Sequence, residues 1–285
     1  MNKQQKAEVY ADTIDTCKNK KYTSPNGKEI TIPTLNGEDT KFYGTKAKPN
    51  LQTLPRFDNM QVTVEDKDCL IAAMELVKEG ETPAVLNMAS FSIPGGGAIN
   101  GMFAQEEELF RRTNLFESLY QFHSVGENYG IKQREERYPL DYNYGAIYTP
   151  SVTAFKSTEN DNYQYLDEPF QIAVISVAAV KKPPLKEDGT LPYWVEKVLK
   201  NKITQILSVA LENGHTTLVL SAFGCGAYKT PPTEMAKLFK EIIENDFNGY
   251  FKKIVFAIIN SNGVFKPHNP QGNFTPFKEI IEGKQ

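Results

Sequence analysis

"AVLNMASFSIPGGGAINGMFAQEEELFRR" (Ala84–Arg112) predicts a buried strand, a glycine-rich loop and a helix in direct succession. The opening residues "AVLNMAS" (84–90) are nearly all apolar, as in a strand that is covered on both faces. The three glycines Gly95–Gly97 let main-chain N–H groups approach a ligand closely. A helix N-terminus behind such a loop adds further donors and a favourable dipole. The stretch therefore predicts an anion-binding loop at the end of a buried strand.

The same alternation of strand and helix continues on both sides of this stretch. Strands are predicted at 60–66, 84–90, 171–180, 216–223 and 253–259, and helices at 66–79, 104–122, 193–213 and 233–245. Such alternation indicates βαβ units, so we expect an α/β fold, a three-layer α/β/α domain with a mixed, mostly parallel sheet. The first sixty residues are more polar and include a predicted helix at Lys3–Lys20. We expect residues 1–60 to form an N-terminal elaboration packed on one structural unit at 61–285.

A second glycine loop, "GCGAY" (Gly224–Tyr228), also follows a predicted strand and precedes a predicted helix. In parallel sheets ligands bind beyond the carboxyl ends of the strands. We therefore expect both loops at the same end of the sheet, where they could clasp a diphosphate from two sides. The simpler alternative is that each loop is only a tight turn. The P-loop pattern G-x-x-x-x-G-K-[ST] is absent, which disfavours a P-loop NTPase.

Acidic residues stand directly behind the first loop, at Glu106, Glu107 and Glu108. Successive helical residues point about 100° apart, so Glu106 and Glu107 cannot address one atom in the same way. One of them can enter a pocket while the other braces it. We interpret Glu108 as helix surface that complements the helix dipole. Because a diphosphate is repelled by carboxylates, the pattern favours a substrate with an anionic part and a part that needs proton transfer.

Composition excludes several classes of function. The net charge is −3 and no long basic run occurs, which argues against sustained binding to nucleic-acid phosphates. No apolar run is long enough for a membrane span, and the N-terminus lacks a signal-peptide core. Cys17, Cys69 and Cys225 are scattered, which argues against a disulfide framework or a zinc site. We expect a cytoplasmic protein that uses no metal and no cofactor.

The spacing Gly95-Gly96-Gly97, seven residues, Gln105-Glu106-Glu107 resembles the signature of the microbial-type poly(ADP-ribose) glycohydrolases, a macrodomain family. That signature is GGG, six to eight residues, then QEE. The segments "YTPSVTAF" (148–155) and "SAFGCGAYKTPP" (221–232) resemble a later strand and the second phosphate loop of the family. The resemblance spans most of the chain.

The resemblance implies a hydrolase of the ribose–ribose O-glycosidic bond of poly(ADP-ribose), with ADP-ribose as the product. By position, Glu107 matches the catalytic acid and base, and Glu106 matches the neighbour that orients the terminal ribose. The two glycine loops, Gly95–Gly97 and Gly224–Tyr228, match the diphosphate-binding loops of the family. Tyr228 lies where the family has an aromatic residue beside the distal ribose. Asn87 and Ser90 lie where family members place polar groups on ribose. The implied substrate-binding residues are Gly95, Gly96, Gly97, Gln105, Asn87, Ser90, Phe223, Gly224, Cys225, Gly226, Ala227 and Tyr228.

The chain departs from the family pattern at a few positions. Ile93 stands where many relatives have Asn before the proline, so the resemblance does not carry over the specific ribose contact implied at that position. Phe110 and Thr113 stand where relatives often have Cys and Ser, and we interpret both as core packing. Outside the signature, we expect Trp194, with Tyr193, to anchor the long helix to the core rather than to stack on adenine.

Two alternative functions stay open at the level of sequence. One is a macrodomain that binds ADP-ribose without cleaving it; Gln105-Glu106-Glu107 argues against it, because a binding module needs no acid at the ribose. The other is a hydrolase of ADP-ribose attached to a protein side chain or a nucleic-acid base, a choice that depends on the depth of the pocket. The expected partners are accordingly poly(ADP-ribose) or an ADP-ribosylated protein.

Overall fold

The computed structural model describes residues 1–35, 37–260 and 267–283. The helices are α1 (Lys3–Asn19), α2 (Cys69–Lys78), α3 (Gln105–Arg112), α4 (Leu115–Leu119), α5 (Tyr193–Glu212), α6 (Pro232–Asn245) and α7 (Phe274–Ile281). The strands are β1 (Lys21–Thr23), β2 (Glu29–Thr31), β3 (Lys41–Tyr43), β4 (Gln61–Glu65), β5 (Ala84–Met88), β6 (Ala146–Lys156), β7 (Tyr165–Val177), β8 (Thr217–Leu220) and β9 (Lys253–Ala257).

Seven of these strands form one sheet in the order β3-β6-β7-β5-β8-β9-β4. Strands β5, β8, β9 and β4 are parallel neighbours, with Val85 opposite Val219 and Val64 opposite Phe256. Strands β1 and β2 pair separately as a small antiparallel sheet. The predicted α/β fold with a mixed, mostly parallel sheet is confirmed. Strands β5 and β8 are parallel neighbours, and the common position of the two glycine loops that follow them stays a prediction.

The chain divides into two compact units. The first unit comprises residues 1–42, 89–140 and 147–174, and the second comprises 43–88, 141–146 and 175–285. The N-terminal helix α1 is therefore part of the first unit and contacts α3 there. The division into an elaboration at 1–60 and a domain at 61–285 stays a prediction.

An aromatic cluster joins α1 to the helices α3 and α4 in the first unit. The Tyr10 ring lies 6.1 Å from that of Phe110 and 6.4 Å from that of Phe116, and its hydroxyl is 2.7 Å from that of Tyr120. Phe110 and Thr113 are fully buried, so their interpretation as packing residues is confirmed. At its N-terminus α1 carries a capping box of Asn2 and Gln5, which satisfies two otherwise unpaired N–H groups.

The continuous helix predicted at 104–122 is wrong, because the chain breaks it at Thr113 and Asn114. Thr113 is extended (φ −140°, ψ 170°) and bridges Ala154 of β6. Asn114 exchanges bonds with Thr153, whose N–H donates to Asn114 Oδ1 at 2.8 Å. Pairing with a strand some forty residues away replaces helical hydrogen bonds here, a contact that helical periodicity cannot reveal.

Parallel strands and the four helices α2, α5, α6 and α7 supply the core of the second unit. Phe239 of α6, Phe256 of β9 and Phe277 of α7 cluster with centroids 5.2–6.4 Å apart. The side chain of Asp68 caps α2 by accepting from the N–H groups of Leu70 and Ile71. After α5, Gly214 adopts φ +80°, the left-handed conformation expected of a helix-ending glycine.

The expectation that Trp194 anchors α5 to the core is wrong. Trp194 is 52% exposed as a residue, and Tyr193 is 76% exposed. Both residues occupy the first turn of α5, whose buried face begins at Val195 and continues through Val198 and Leu199. Aromatic size suggested burial, but the phase of the helix places these two rings toward solvent.

A buried lysine lies inside the second unit. Lys202 of α5 is 1% exposed, and its Nζ has no hydrogen-bond partner among the described residues. The Nζ lies 5.7 Å from the centroid of the Tyr142 ring. Burial lowers the pKa of Lys202 from its ordinary 10.5 to about 8, against a smaller upward effect of Asp141. Keeping this amine charged in a poorly solvated place near neutral pH therefore reduces the stability of the folded state.

We predict that Lys202→Met increases stability. Replacing a buried charge by an apolar side chain of similar length should raise the free energy of unfolding by about 1–3 kcal/mol at pH 7. Because the folded-state pKa lies below the unfolded one, the wild type should gain stability as pH rises from 8 toward 10.5, and Lys202→Met should lack that rise. Thermal melting across that pH range measures both effects.

The control for this prediction is Lys200→Met, which removes a partly exposed lysine paired with Glu241 at 2.6 Å. We expect this change to shift the free energy of unfolding by less than about 0.5 kcal/mol. A Lys202→Met variant that melts below the wild type at pH 7 would contradict the account of this lysine.

Candidate active site

The glycine turn at Gly95–Gly97 has a backbone that few other residues can adopt. Gly95 has φ +78° and Gly96 has φ +53°, both in the left-handed region. The N–H of Gly96 donates to the oxygen of Ile93 at 3.1 Å, and the N–H of Ala98 donates to that of Gly95 at 3.0 Å. These bonds close a compact turn between the end of β5 and the start of α3.

Both carboxylate oxygens of Glu106 are held by main-chain N–H groups of the first unit. Oε2 accepts from Ser90 N at 2.7 Å, and Oε1 accepts from Gly95 N at 2.9 Å. The side chain is buried. Glu106 therefore ties the segment that leaves β5 to the glycine turn, and its carboxylate has a fixed position and orientation.

Glu107 is held at only one of its two oxygens. Its Oε1 accepts from Gly97 N at 2.9 Å. Among the residues that the structure describes, Oε2 has no hydrogen-bond partner. The side chain is largely buried, with 9% of the residue's surface exposed. One oxygen is thus anchored to the turn, and the other is available to a ligand.

The two carboxylates also require the absence of a side chain at Gly96. A Cβ at this position would lie 2.5 Å from Glu107 Oε1 and 3.2 Å from Glu106 Oε2. At Gly95 a Cβ would overlap the ring of Phe110, and at Gly97 it would lie 2.5 Å from Met102 Cγ. Each of the three glycines is therefore needed for close packing, and Gly95 and Gly96 are needed for backbone conformation as well.

The N–H groups of the first loop donate to acceptors within the protein, whereas the sequence pattern predicts that they bind a diphosphate. The N–H groups of Gly95 and Gly97 donate to Glu106 and Glu107, and that of Gly96 donates to Ile93. In this conformation the donors that were expected to face a diphosphate hold the acids. The diphosphate contact of this loop stays a prediction.

The interpretation of Glu108 as helix surface is wrong. Glu108 is buried, its Oε1 lies 2.9 Å from Arg111 Nη1, and it accepts from the Tyr163 hydroxyl at 2.6 Å. Burial raises the pKa of the Glu108 carboxyl, and Tyr163 and Arg111 oppose this effect. The sequence signal for the pair was the spacing of three residues between an acid and a base on one helix. Tyr163 left no such signal.

The second loop, Gly224–Tyr228, belongs to the second unit and follows β8. Gly224 has φ +75°, and a Cβ there would lie 2.8 Å from the Ala179 side chain. The turn is closed by bonds from Cys225 N to Ala222 O at 3.1 Å and from Thr230 N to Gly224 O at 3.0 Å. Cys225 is fully buried, and burial raises the pKa of its thiol, which argues against a nucleophilic role.

Unlike the first loop, the second loop leaves main-chain donors unused. The N–H groups of Gly224, Gly226 and Ala227 have no hydrogen-bond partner within the described part of the chain. Gly226 and Ala227 are exposed. Helix α6 begins a few residues later, at Pro232. Unpaired main-chain N–H groups in an exposed turn are donors of the kind that bind phosphate oxygens.

The other predicted site residues occupy different environments. Asn87 is fully buried in β5, where its Nδ2 donates to Ser176 Oγ at 3.0 Å. Phe223 is also fully buried, whereas Tyr228 is half-buried and accepts at its main-chain oxygen from Lys182 N at 2.7 Å. Gln105 is half-buried and begins α3. Their contacts with substrate stay predictions.

Within 1–35, 37–260 and 267–283, no group of three or more His, Cys, Asp or Glu side chains is arranged to hold a metal ion. Over the same residues, no helix combines the length and the apolar character that crossing a bilayer requires.

Solved structures similar to this chain include two poly(ADP-ribose) glycohydrolases. That from Thermomonospora curvata, bound to the inhibitor ADP-HPD, is 27% identical, covers 96% of this chain and 98% of its own, and has a TM-score of 0.75. That from Deinococcus radiodurans, in complex with ADP-ribose, is 26% identical, covers 89% and 98%, and has a TM-score of 0.67. A search of curated proteins found no significant match.

A family model described as the microbial-type PARG catalytic domain matches residues 11–157, which is more than half of the 285 residues. The matched region includes the glycine turn and the three glutamates behind it. The chain belongs to the microbial-type poly(ADP-ribose) glycohydrolase family.

Proposed function

We propose that this protein hydrolyses the ribose–ribose O-glycosidic bond of poly(ADP-ribose), with Glu107 as both acid and base and Glu106 as the residue that orients the ribose. The family to which the chain belongs consists of glycoside hydrolases that act on this polymer. We assign the roles of the two glutamates from the geometry of their carboxylates.

The observation that carries the assignment is the difference between the two side chains. Both oxygens of Glu106 are bound to N–H groups, so this carboxylate is a fixed brace. Glu107 keeps Oε2 without a partner among the described residues, while Oε1 is anchored to Gly97. A general acid must reach the atom that it protonates, and only Glu107 has an oxygen available for that contact.

The chemistry can be written with one carboxyl group. Protonated Glu107 donates its proton to the leaving ribose oxygen as the glycosidic C–O bond breaks, and the remaining ribose becomes oxocarbenium-like. Water then attacks the anomeric carbon and gives a proton to the Glu107 carboxylate, which restores the acid. The products are ADP-ribose and a polymer shortened by hydrolysis. Glycosidases usually employ two carboxylates, and the hydrogen bonds of Glu106 leave it unsuited to be the second.

The second loop is the proposed diphosphate site. Its free N–H groups at Gly224, Gly226 and Ala227 are donors suited to phosphate oxygens. The substrates we propose are poly(ADP-ribose) and poly(ADP-ribosyl)ated proteins, and both carry this diphosphate. The three cysteines are buried free thiols, which supports a reducing, cytoplasmic location.

Glu107→Gln should remove catalysis and preserve binding. The amide cannot donate a proton as a carboxylic acid does, so we expect hydrolysis to fall by a factor of about 10²–10⁴. The assay separates the products released from automodified poly(ADP-ribose) polymerase. Glu135→Gln, which changes an exposed glutamate of the first unit, is the matched control. Wild-type cleavage by Glu107→Gln would exclude this residue as the acid.

Glu106→Gln should have a different kinetic signature. A neutral amide has one oxygen, so it can accept from Ser90 N or from Gly95 N but not from both. We expect a higher KM together with a smaller loss of kcat than Glu107→Gln shows. Equal losses of kcat in the two variants, with KM unchanged in both, would contradict the division of roles.

Gly96→Ala should reduce activity through the glutamates. Its Cβ would displace Glu107 Oε1, which lies 2.5 Å from the Cβ position, and would also strain a left-handed backbone. Gly130→Ala is the matched control, since Gly130 has φ +70° and open space around its Cβ position. Both variants should lose stability, by about 1 kcal/mol for Gly130→Ala. Only Gly96→Ala should lose most of its kcat, measured at a temperature where both are folded.

The products of the same assay discriminate the alternative functions. Release of ADP-ribose from the polymer supports the proposed hydrolase. Binding of the polymer without any release would identify a reader. Cleavage of mono-ADP-ribosylated protein with the polymer left intact would identify the other hydrolase. The proposed reaction includes no metal step, so we expect full activity in EDTA.

A further inference from the structure

We propose that Arg111 is a positioning residue for catalysis, which fixes the Glu107 carboxylate through Met102 and Gly97. This inference rests on the proposed role of Glu107 and goes beyond it. Among the described residues, no hydrogen bond joins the Arg111 guanidinium to the Glu107 carboxylate; the two groups are connected through the segment Gly97–Ala104, which we call the linker. All the residues concerned lie in the first unit.

The guanidinium of Arg111 is fully buried and contacts three parts of the first unit. Nη2 donates to the main-chain oxygen of Met102 in the linker. Nε donates to the main-chain oxygen of Lys6 in α1 at 3.1 Å. Nη1 lies 2.9 Å from Glu108 Oε1 on its own helix. A rigid, planar group with several donors can hold three such acceptors at once, which a lysine cannot reproduce.

From Met102 the contacts continue to the proposed acid. The N–H of Met102 donates to the oxygen of Gly97 at 3.1 Å. The N–H of Gly97 in turn donates to Glu107 Oε1 at 2.9 Å. Met102 and Gly97 thus each accept a hydrogen bond at the main-chain oxygen and donate one from the main-chain nitrogen. A displacement of Met102 therefore changes the position of the donor that holds the Glu107 carboxylate.

Helix α1 closes the linker from the other side. Gly101 has φ +66°, and a Cβ there would overlap the main-chain oxygen of Lys3. Lys6 Nζ lies 4.0 Å from the centroid of the Phe103 ring, and it also pairs with Glu159 at 3.0 Å. The linker is therefore held between α1 and Arg111. This contact gives the N-terminal helix a role in the geometry of the site.

The test compares Arg111→Met with the wild type by two measurements. We expect kcat to fall by about 100-fold, the effect of misplacing a reacting group by about 1 Å, with KM little changed. We also expect the amides of Gly97 and Met102 to exchange hydrogen faster, while the amides of α2 in the second unit exchange at wild-type rates. The exchange measurement needs no substrate, so it tests the relay even if the proposed function fails.

Two further variants keep the test decisive if Arg111→Met does not fold. Glu108→Gln/Arg111→Met removes the unpaired buried carboxylate that the single change would leave, with Glu108→Gln as its reference. Arg111→Lys keeps the charge and should recover part of the lost kcat at most. Leu207→Ala is the control for lost stability: Leu207 is fully buried in α5 of the second unit, and shortening it should destabilise the protein by about 2–5 kcal/mol without changing a contact of the linker.

The outcomes separate the two proposals. If the wild type cleaves the polymer and Glu107→Gln does not, the proposed function holds; a folded Arg111→Met with wild-type kcat and exchange then overturns the positioning role alone. If Leu207→Ala loses as much kcat as Arg111→Met at equal stability, the effect is general destabilisation and the positioning role is also overturned. Loss of kcat and faster linker exchange confined to the Arg111 variants support it.

Discussion

The site depends on main-chain N–H groups that bind carboxylates within the first unit. Ser90 and Gly95 donate to Glu106, and Gly97 donates to Glu107. These bonds are charge-assisted and buried, which makes them stronger than ordinary main-chain bonds. They require a turn with positive φ angles and no side chain at Gly96. The triple glycine is therefore a consequence of how the acids are held.

The same constraint explains how adjacent, similar residues can have different functions. A carboxylate bound at both oxygens cannot turn toward a substrate, whereas one bound at a single oxygen is oriented but still available. Glu106 and Glu107 present these two states side by side on the first turn of α3. Glu108, the third acid, pairs with Arg111 instead and supports the linker that leads back to Gly97. Three consecutive glutamates thus have three distinct environments.

Much of the fold could be predicted from the sequence, because strands β5, β8 and β9 are apolar runs and the helices between them have clear boundaries. The errors have physical causes. The break after Arg112 depends on pairing with Thr153 and Ala154, and the exposure of Trp194 depends on the phase of α5. The two catalytic candidates were predicted from the family resemblance that the GGG and QEE residues carry. The N–H groups that hold them could not be assigned without coordinates, because the same donors suit a bound diphosphate and a glutamate side chain equally well.

The central claim is that the free oxygen of Glu107 meets the scissile bond while Glu106 stays bound to the turn. The most direct measurement is a crystal structure of Glu107→Gln with a poly(ADP-ribose) dimer bound. The account predicts the side chain at position 107 within hydrogen-bond distance of the glycosidic oxygen, with Glu106 still accepting from Ser90 and Gly95. A glycosidic oxygen that contacts Glu106, with residue 107 turned away from the ribose, would contradict it.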